Sequence, residues 1–104
     1  MVAVEVLGAL AHGTRLDAVA LLLRMGGDGL AAGEVAQRLA VPQNTMSTHL
    51  RILSSAGLIH WERRSRNIIY RADAHRLAAL TSFLRDECDV TSSDASGARQ
   101  WTRT

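Results

Sequence analysis

Apolar residues recur at helical spacing in four blocks before residue 57 and in one block after residue 73, with two short β-branched runs between them. In residues 2–11, Val4, Leu7, Leu10 and Ala11 read as the inward stripe of a short helix, weakened at Gly8. His12-Gly13 interrupts it, and Thr14 followed by Asp17 fits a capping box for a second helix. Leu16, Val19, Ala20, Leu22 and Leu23 give that helix a broad apolar face, and Gly26-Gly27-Asp28-Gly29 ends it. Residues 32–40 predict a third helix with Val35, Ala36 and Leu39 inward and Glu34, Gln37 and Arg38 outward, followed by Val41 as a buried turn residue. Pro42 suits the first position of a fourth helix, where its missing N–H costs nothing. That helix runs to about Ala56 on a stripe of Met46, Leu50 and Leu53, and Gly57 is its left-handed stop. Residues 58–62 and 67–71 read as strands flanking Arg63-Arg64-Ser65-Arg66. Asp73 can cap a fifth helix with Leu77, Leu80, Phe83 and Leu84 inward. Residues 91–104 are Ser/Thr/Gly-rich and aperiodic, so the expected organisation is one folded domain over 1–90 and a mobile polar tail over 91–104.

The third and fourth helices with their tight turn form a helix-turn-helix, and the arginine-bearing hairpin after them forms a wing. The expected fold is mainly α with a β-hairpin wing (α+β), a winged helix-turn-helix of order ααααββα. The second helix of such a unit lies in the major groove of DNA, so its outer face must carry donors and acceptors that reach base edges and phosphates. With Met46, Leu50 and Leu53 inward, the rest of the helix offers Gln43, Asn44, Thr45, Ser47, Thr48, His49 and Arg51. Gln and Asn can pair with adenine, Arg with guanine, Ser and Thr with phosphates. A merely solvated face usually mixes acids with bases, and this one has no acid from Gln43 to Gly57. Arg64 and Arg66 at the hairpin tip are expected near the minor groove or its phosphates, while strand alternation leaves Arg63 open.

The composition fits this picture. A chain of 104 residues with 47% hydrophobic and only 4% aromatic residues builds one small domain with an aliphatic core, and small domains often gain stability by dimerising. All twelve basic residues are arginine and the formal net charge is only +2, so the placement of charge matters more than its sum. Six arginines lie from Arg51 to Arg76 against Glu62 and Asp73, whereas four acids and no base lie from Asp86 to Asp94. A basic middle and an acidic end point to DNA at one and something else at the other. No apolar run spans a bilayer and no secretory signal is visible, and the one cysteine, Cys88, excludes an intrachain disulfide. A cytoplasmic protein without a membrane partner is the simplest expectation. With no Gly-rich phosphate loop and no nucleophile–base pair at motif spacing, an enzyme is not expected.

The segments ALAHGTRLDAVALLL, GEVAQRLAVPQNTMSTHLRILSSAGLI and RRSRNIIYRAD together resemble the ArsR/SmtB group of bacterial repressors over about residues 5–88. The resemblance implies a homodimer joined through its first and last helices, bound to double-stranded operator DNA and released by a metal, metalloid or thiol-reactive signal. Members often have serine where Pro42 stands, so one capping or phosphate contact is absent here. A cysteine-based soft-metal site of the family, near the start of the third helix, is missing, because residues 30–34 contain no cysteine. A second arsenic arrangement has adjacent cysteines at the end of the last helix, where this chain has Cys88 alone. A third is a zinc site across paired last helices, and Asp73, His75, Asp86 and Asp89 fall at its spacing. Three carboxylates and one imidazole suit harder divalent ions better than zinc. The competing reading of these residues is a helix cap, a first-turn histidine and a solvated acidic stretch. Cys88 keeps three readings: a buried small residue near the dimer seam, a soft-ion ligand with its mate, or a redox-sensitive thiol that its acidic neighbours make less reactive. His12 and His60 read as caps or packed polar residues. No cofactor is called for beyond a divalent metal or metalloid as inducer. A regulator without a small inducer, and a protein-interaction winged helix that no longer binds DNA, stay open as alternatives.

Overall fold

The computed structural model describes residues 2–88; the expected tail and Asp89 lie outside them. Among the described residues the chain forms α1 (Ala3–Leu10), α2 (Gly13–Met25), β1 (Leu30–Ala31), α3 (Ala32–Leu39), α4 (Gln43–Ser55), β2 (Ile59–Arg64), β3 (Asn67–Ala72) and α5 (Ala74–Glu87). A single 3-10 turn over Gly26–Asp28 separates α2 from β1. One core cluster joins Val6 of α1, Val19 and Leu22 of α2, Val35 of α3, Met46, Leu50 and Leu53 of α4, and Ile59 of β2. The helix-turn-helix matches its sequence pattern. Val35 and Ala36 are buried and Leu39 packs against the core, while Glu34, Gln37 and Arg38 face out. Ala40 turns the chain in the left-handed region at φ 57°, Val41 is half-buried, and Pro42 stands at the N-cap of α4, one residue before the helical position expected for it. Gly57 closes α4 at φ 79°, as its left-handed role requires.

Four expectations change. In α1 the buried residues are Val6 and Ala9; of the anticipated stripe Leu10 packs against the core, while Val4 and Leu7 point out, 79% and 42% exposed. Almost every position of this eight-residue helix is apolar, so periodicity cannot choose the inner face and the packing of α2 and α4 chooses it. In α2 the buried residues are Ala18, Val19, Leu21 and Leu22, while Leu16 and Leu23 face out. Its N-cap is His12 rather than Thr14: Nδ1 of His12 accepts the Thr14 N–H at 3.2 Å, and Thr14 already lies inside the helix. In α5 Asp73 caps as expected, accepting the Arg76 N–H at 2.8 Å. Only Leu80 is buried there, with Leu77 half-buried and Phe83 and Leu84 exposed.

The fourth change is in the sheet. It has three antiparallel strands in the order β1-β3-β2, with Leu30 opposite Tyr70 and Ala31 opposite Ile69. Two residues carry no period, which is why β1 leaves no trace in the apolar pattern. The approach needs Gly29: at φ 63° a Cβ there would meet the Tyr70 carbonyl oxygen at 2.5 Å. The hairpin is also longer than its apolar runs. β2 and β3 pair from Ile59 opposite Ala72 to Arg64 opposite Asn67, which leaves Ser65, at φ 55°, and Arg66 as the turn. Arg63 and Arg64 are therefore strand residues with alternating faces.

Candidate nucleic-acid interface

Each residue of α4 turns by about 100°. With Met46, Leu50 and Leu53 inward, Asn44, Thr48, Arg51 and Ser55 occupy the opposite, exposed side. Gln43 and Thr45 are also exposed, and Ser47 is half-buried on the flank toward the sheet. Asn44 Oδ1 accepts the Thr45 N–H at 2.8 Å, and the Thr48 hydroxyl donates to the Asn44 carbonyl at 3.4 Å. Both bonds tie polar groups to the helix's own backbone at its N-terminal end. Arg51 makes no ion pair among the described residues, which leaves its guanidinium fork for an external acceptor.

His49 does not join this group. It sits at the edge of the buried stripe, half-buried, with its ring 4.6 Å from that of His12 and tilted by 49°. Its Nδ1 is shut off from solvent and has no hydrogen-bond partner among the described residues. Burial, then the neighbouring His12 and Arg15, hold its pKa below the ordinary 6.5. The folded state therefore resists a proton that the unfolded chain accepts. Stability is full above pH 6.5 and falls with pH until the lowered folded pKa is passed. Urea titrations from pH 7.5 to pH 5 are expected to show this loss in the wild type and a smaller one in His49→Gln; equal slopes would remove His49 as its source.

The two faces of the hairpin differ in charge. Cross-strand register places Trp61 and Arg63 with Tyr70 and Ile68 on one face, and His60, Glu62 and Arg64 with Arg71 and Ile69 on the other. Glu62 Oε2 accepts from Arg64 Nε at 3.0 Å, and Glu62 also pairs with Arg71. The Arg64 hydrogen bond is the main cause holding the Glu62 carboxyl below its usual range, with the Arg71 charge adding to it. Arg64 is thus already engaged, on the face turned away from Trp61. Trp61 and Tyr70 line a cleft of about 380 Å3 together with Ser47, Arg51, Ser54 and Ser55 of α4. Arg63 shares the strand face that borders this cleft, and Arg66 is exposed at the turn. Strand alternation left the direction of Arg63 open in the sequence; the register of β2 against β3 puts it on the Trp61 face.

The acidic set is spread out. Asp73 uses Oδ1 to accept the Arg76 N–H, and its Oδ2 lies 2.6 Å from His60 Nε2. These two partners, the Arg76 N–H first, hold its carboxyl below the ordinary 3.8. His75 and Asp86 are exposed, and Asp89 lies outside the described residues. Thirteen helical residues from Asp73 to Asp86 span about 20 Å, so one chain cannot gather them round one ion. No group of three or more His, Cys, Asp or Glu among the described residues is placed to hold a metal. The set fits a divalent ion only if two α5 helices meet and Asp73 gives up a present partner. Cys88 is exposed in the single chain, at the C-cap of α5, so the buried reading of that thiol does not hold within one protomer. No single helix among the described residues is long and apolar enough to cross a membrane.

Comparison with known proteins agrees with this geometry. The family described as "Helix-turn-helix domain" matches residues 10–60, which covers α2 through the start of β2. The HTH-type transcriptional repressor SmtB of Mycobacterium tuberculosis (strain H37Rv) is 38% identical over 76 residues, covering 73% of this chain. The chain belongs to the ArsR/SmtB family. That family is one of transcription regulators, not of enzymes. The chain spans 54% of the length of the SmtB relative it matches. Among solved structures, a homodimeric winged helix-turn-helix DNA-binding domain from Mycobacterium bovis, described as a possible ArsR-family transcriptional regulator, gives a TM-score of 0.67 at 26% identity, over 94% of this chain and 86% of that one. An ArsR-like regulator from Rhodococcus sp. RHA1 gives 0.72 at 24% identity, over 95% and 94%, and speaks for the fold alone.

Proposed function

We propose that this ArsR/SmtB chain is a sequence-specific DNA-binding repressor that acts as a homodimer in the cytoplasm. The observation that carries the reading is the outer face of α4, polar and free of acids, beside a hairpin that presents Arg63 and Arg66. A helix of this kind reads base edges while flanking arginines neutralise phosphates. The dimer is supported by the apolar residues that the single chain leaves in water: Val2 at the N-cap of α1, Val4 and Leu7 of α1, and Phe83 and Leu84 of α5. A two-fold axis there would present two α4 helices to successive major-groove faces of a roughly palindromic site.

The signal belongs to the same seam. We infer that a divalent metal, metalloid or thiol-reactive agent releases the operator. An ion would be shared by Asp73 and His75 with Asp86 and Asp89 of the partner subunit, and a thiol reagent would act at the two Cys88 residues. The acidic donors favour a harder divalent ion over a soft one.

The test is fluorescence anisotropy of the reduced protein on a duplex from the DNA upstream of its gene, at fixed salt. Arg51→Ala is expected to cost roughly 1–3 kcal/mol of affinity, whether its guanidinium meets a base edge or a phosphate. Arg66→Ala is expected to weaken all sequences alike and to lower the salt slope by about one. Zinc, manganese, arsenite and oxidant, added separately, should include one that releases the duplex. Failure of the wild type to bind any candidate operator refutes the repressor reading, and binding that no addition releases refutes the inducer.

A further inference from the structure

The cleft between the C-terminal half of α4 and the hairpin base has a composition that reading individual elements does not explain. Ser47, Arg51, Ser54 and Ser55 form its helical wall, and Trp61 and Tyr70 form the sheet wall. These are hydroxyl, guanidinium, indole and phenol groups, all able to donate a hydrogen bond, and no lining residue is acidic. The nearest acid on the hairpin, Glu62, is on the opposite strand face and is occupied by Arg64 and Arg71. Trp61 is 56% exposed although large aromatic residues are normally well covered. An acid-free cleft of about 380 Å3 in which every lining residue can donate is large enough for a tetrahedral oxyanion and its ester substituents.

We propose that this cleft is a phosphate seat, and that its occupant is a phosphodiester of the DNA strand that passes from the groove held by α4 to the groove beside the wing. The inference rests on the DNA-binding reading and adds a defined contact to it. Arg51 supplies the charge, the Ser47 and Ser54 hydroxyls supply short donors, and Trp61 and Tyr70 border the seat on the sheet side. Arg63, two residues beyond Trp61 on the same strand face and about 7 Å along the strand, continues the track to the next phosphate. The carbonyl end of α4 lies near the seat and opposes an anion, so Arg51 is indispensable to it. The same donors would accept the phosphate of a free phosphorylated small molecule, which makes the source an experimental question.

The experiment compares full-length wild type, Arg51→Gln and Ser54→Asp on the upstream duplex over a salt series, with far-UV circular dichroism to confirm folding. The expected result is a fall in affinity of tenfold or more for Ser54→Asp, and a log–log salt slope shallower by about one for each variant. A scan of single neutral methylphosphonates in the duplex should find one position that weakens the wild type but not Arg51→Gln, since both changes remove the same contact. In a Trp101→Phe background, where Trp61 is the only tryptophan, inorganic phosphate is added without DNA at constant ionic strength. A Trp61 fluorescence change with phosphate alone, together with no such methylphosphonate position, assigns the seat to a free oxyanion and overturns the DNA source. If the wild type binds the duplex while both variants match it within twofold and keep its slope, the seat is wrong and the DNA-binding reading stands. If the wild type binds no duplex, both fall.

Discussion

Phe83→Asp is expected to turn the protein into a folded monomer that has lost almost all operator affinity. Phe83 is 45% exposed in the single chain, and its neighbour Leu84 is 41% exposed. Only Leu80 is buried on α5, and the second half of this 14-residue helix is left exposed by the described residues. A carboxylate at position 83 is harmless in a monomer, where it meets water, and costly in a seam, where it is buried without a partner. Sedimentation equilibrium should give the 11.3 kDa chain mass in place of twice that value. Two linked recognition helices exceed one by roughly 10²–10⁴ in affinity through effective concentration alone, so the monomer should lose about that factor on a two-half-site operator. It should lose little on a single half-site. Val4→Asp, on the 79% exposed outer face of α1, tests the other half of the same seam. A Phe83→Asp protein that stays dimeric and binds normally would place the interface elsewhere.

The same outward residues explain what the sequence could and could not disclose. The apolar stripe Val4, Leu7, Leu10 and Ala11 has helical spacing, and so does the set Val6 and Ala9 that the protomer buries. Periodicity identified the helix, but Val6 and Ala9 serve the intrachain core while Val4 and Leu7 are left exposed, and a single chain's pattern contains both sets without labels. Phe83 and Leu84 were read as core for the same reason. In α4, by contrast, the inner stripe was unambiguous because every other position is polar apart from Ile52, and the polar side was legible with it. His49 escaped that reading because its environment depends on His12, 37 residues earlier and brought close only by the turn into α2. The roles of Arg63 and Arg64 required the register of β2 against β3. A one-residue slip in that register would exchange the two side chains between faces. β1 and Gly29 were invisible because a two-residue strand has no pattern, and the left-handed conformation of Gly29 is set by its approach to Tyr70.

Leu50→Ala is expected to be the most damaging single change to stability, and it bears on the site because one helix carries both core and interface. Leu50 is fully buried between Met46 and Leu53 on the inner stripe of α4, within the cluster that also holds Val6, Leu22 and Ile59. Truncating such a leucine removes its transfer free energy and leaves a cavity, together about 2–5 kcal/mol. A domain of this size has a total stability on the order of 5–15 kcal/mol, so a large share is lost. Urea unfolding should show the loss as a lower midpoint, measured at one fixed protomer concentration because dimerisation adds to the apparent stability. Ile52→Ala, on the same helix but 37% exposed, should cost under about 1 kcal/mol and serves as the control. The DNA readout then separates packing from contact. Leu50→Ala should lower the fraction of competent protein while leaving the salt slope of the folded remainder unchanged, because it removes no phosphate contact. Arg51→Gln, one residue along, should do the reverse: an unchanged urea midpoint and a shallower slope. If the two neighbours behaved alike, α4 would not divide into a buried side that holds the helix and an exposed side that meets DNA, and the binding face assigned to it would have to be abandoned.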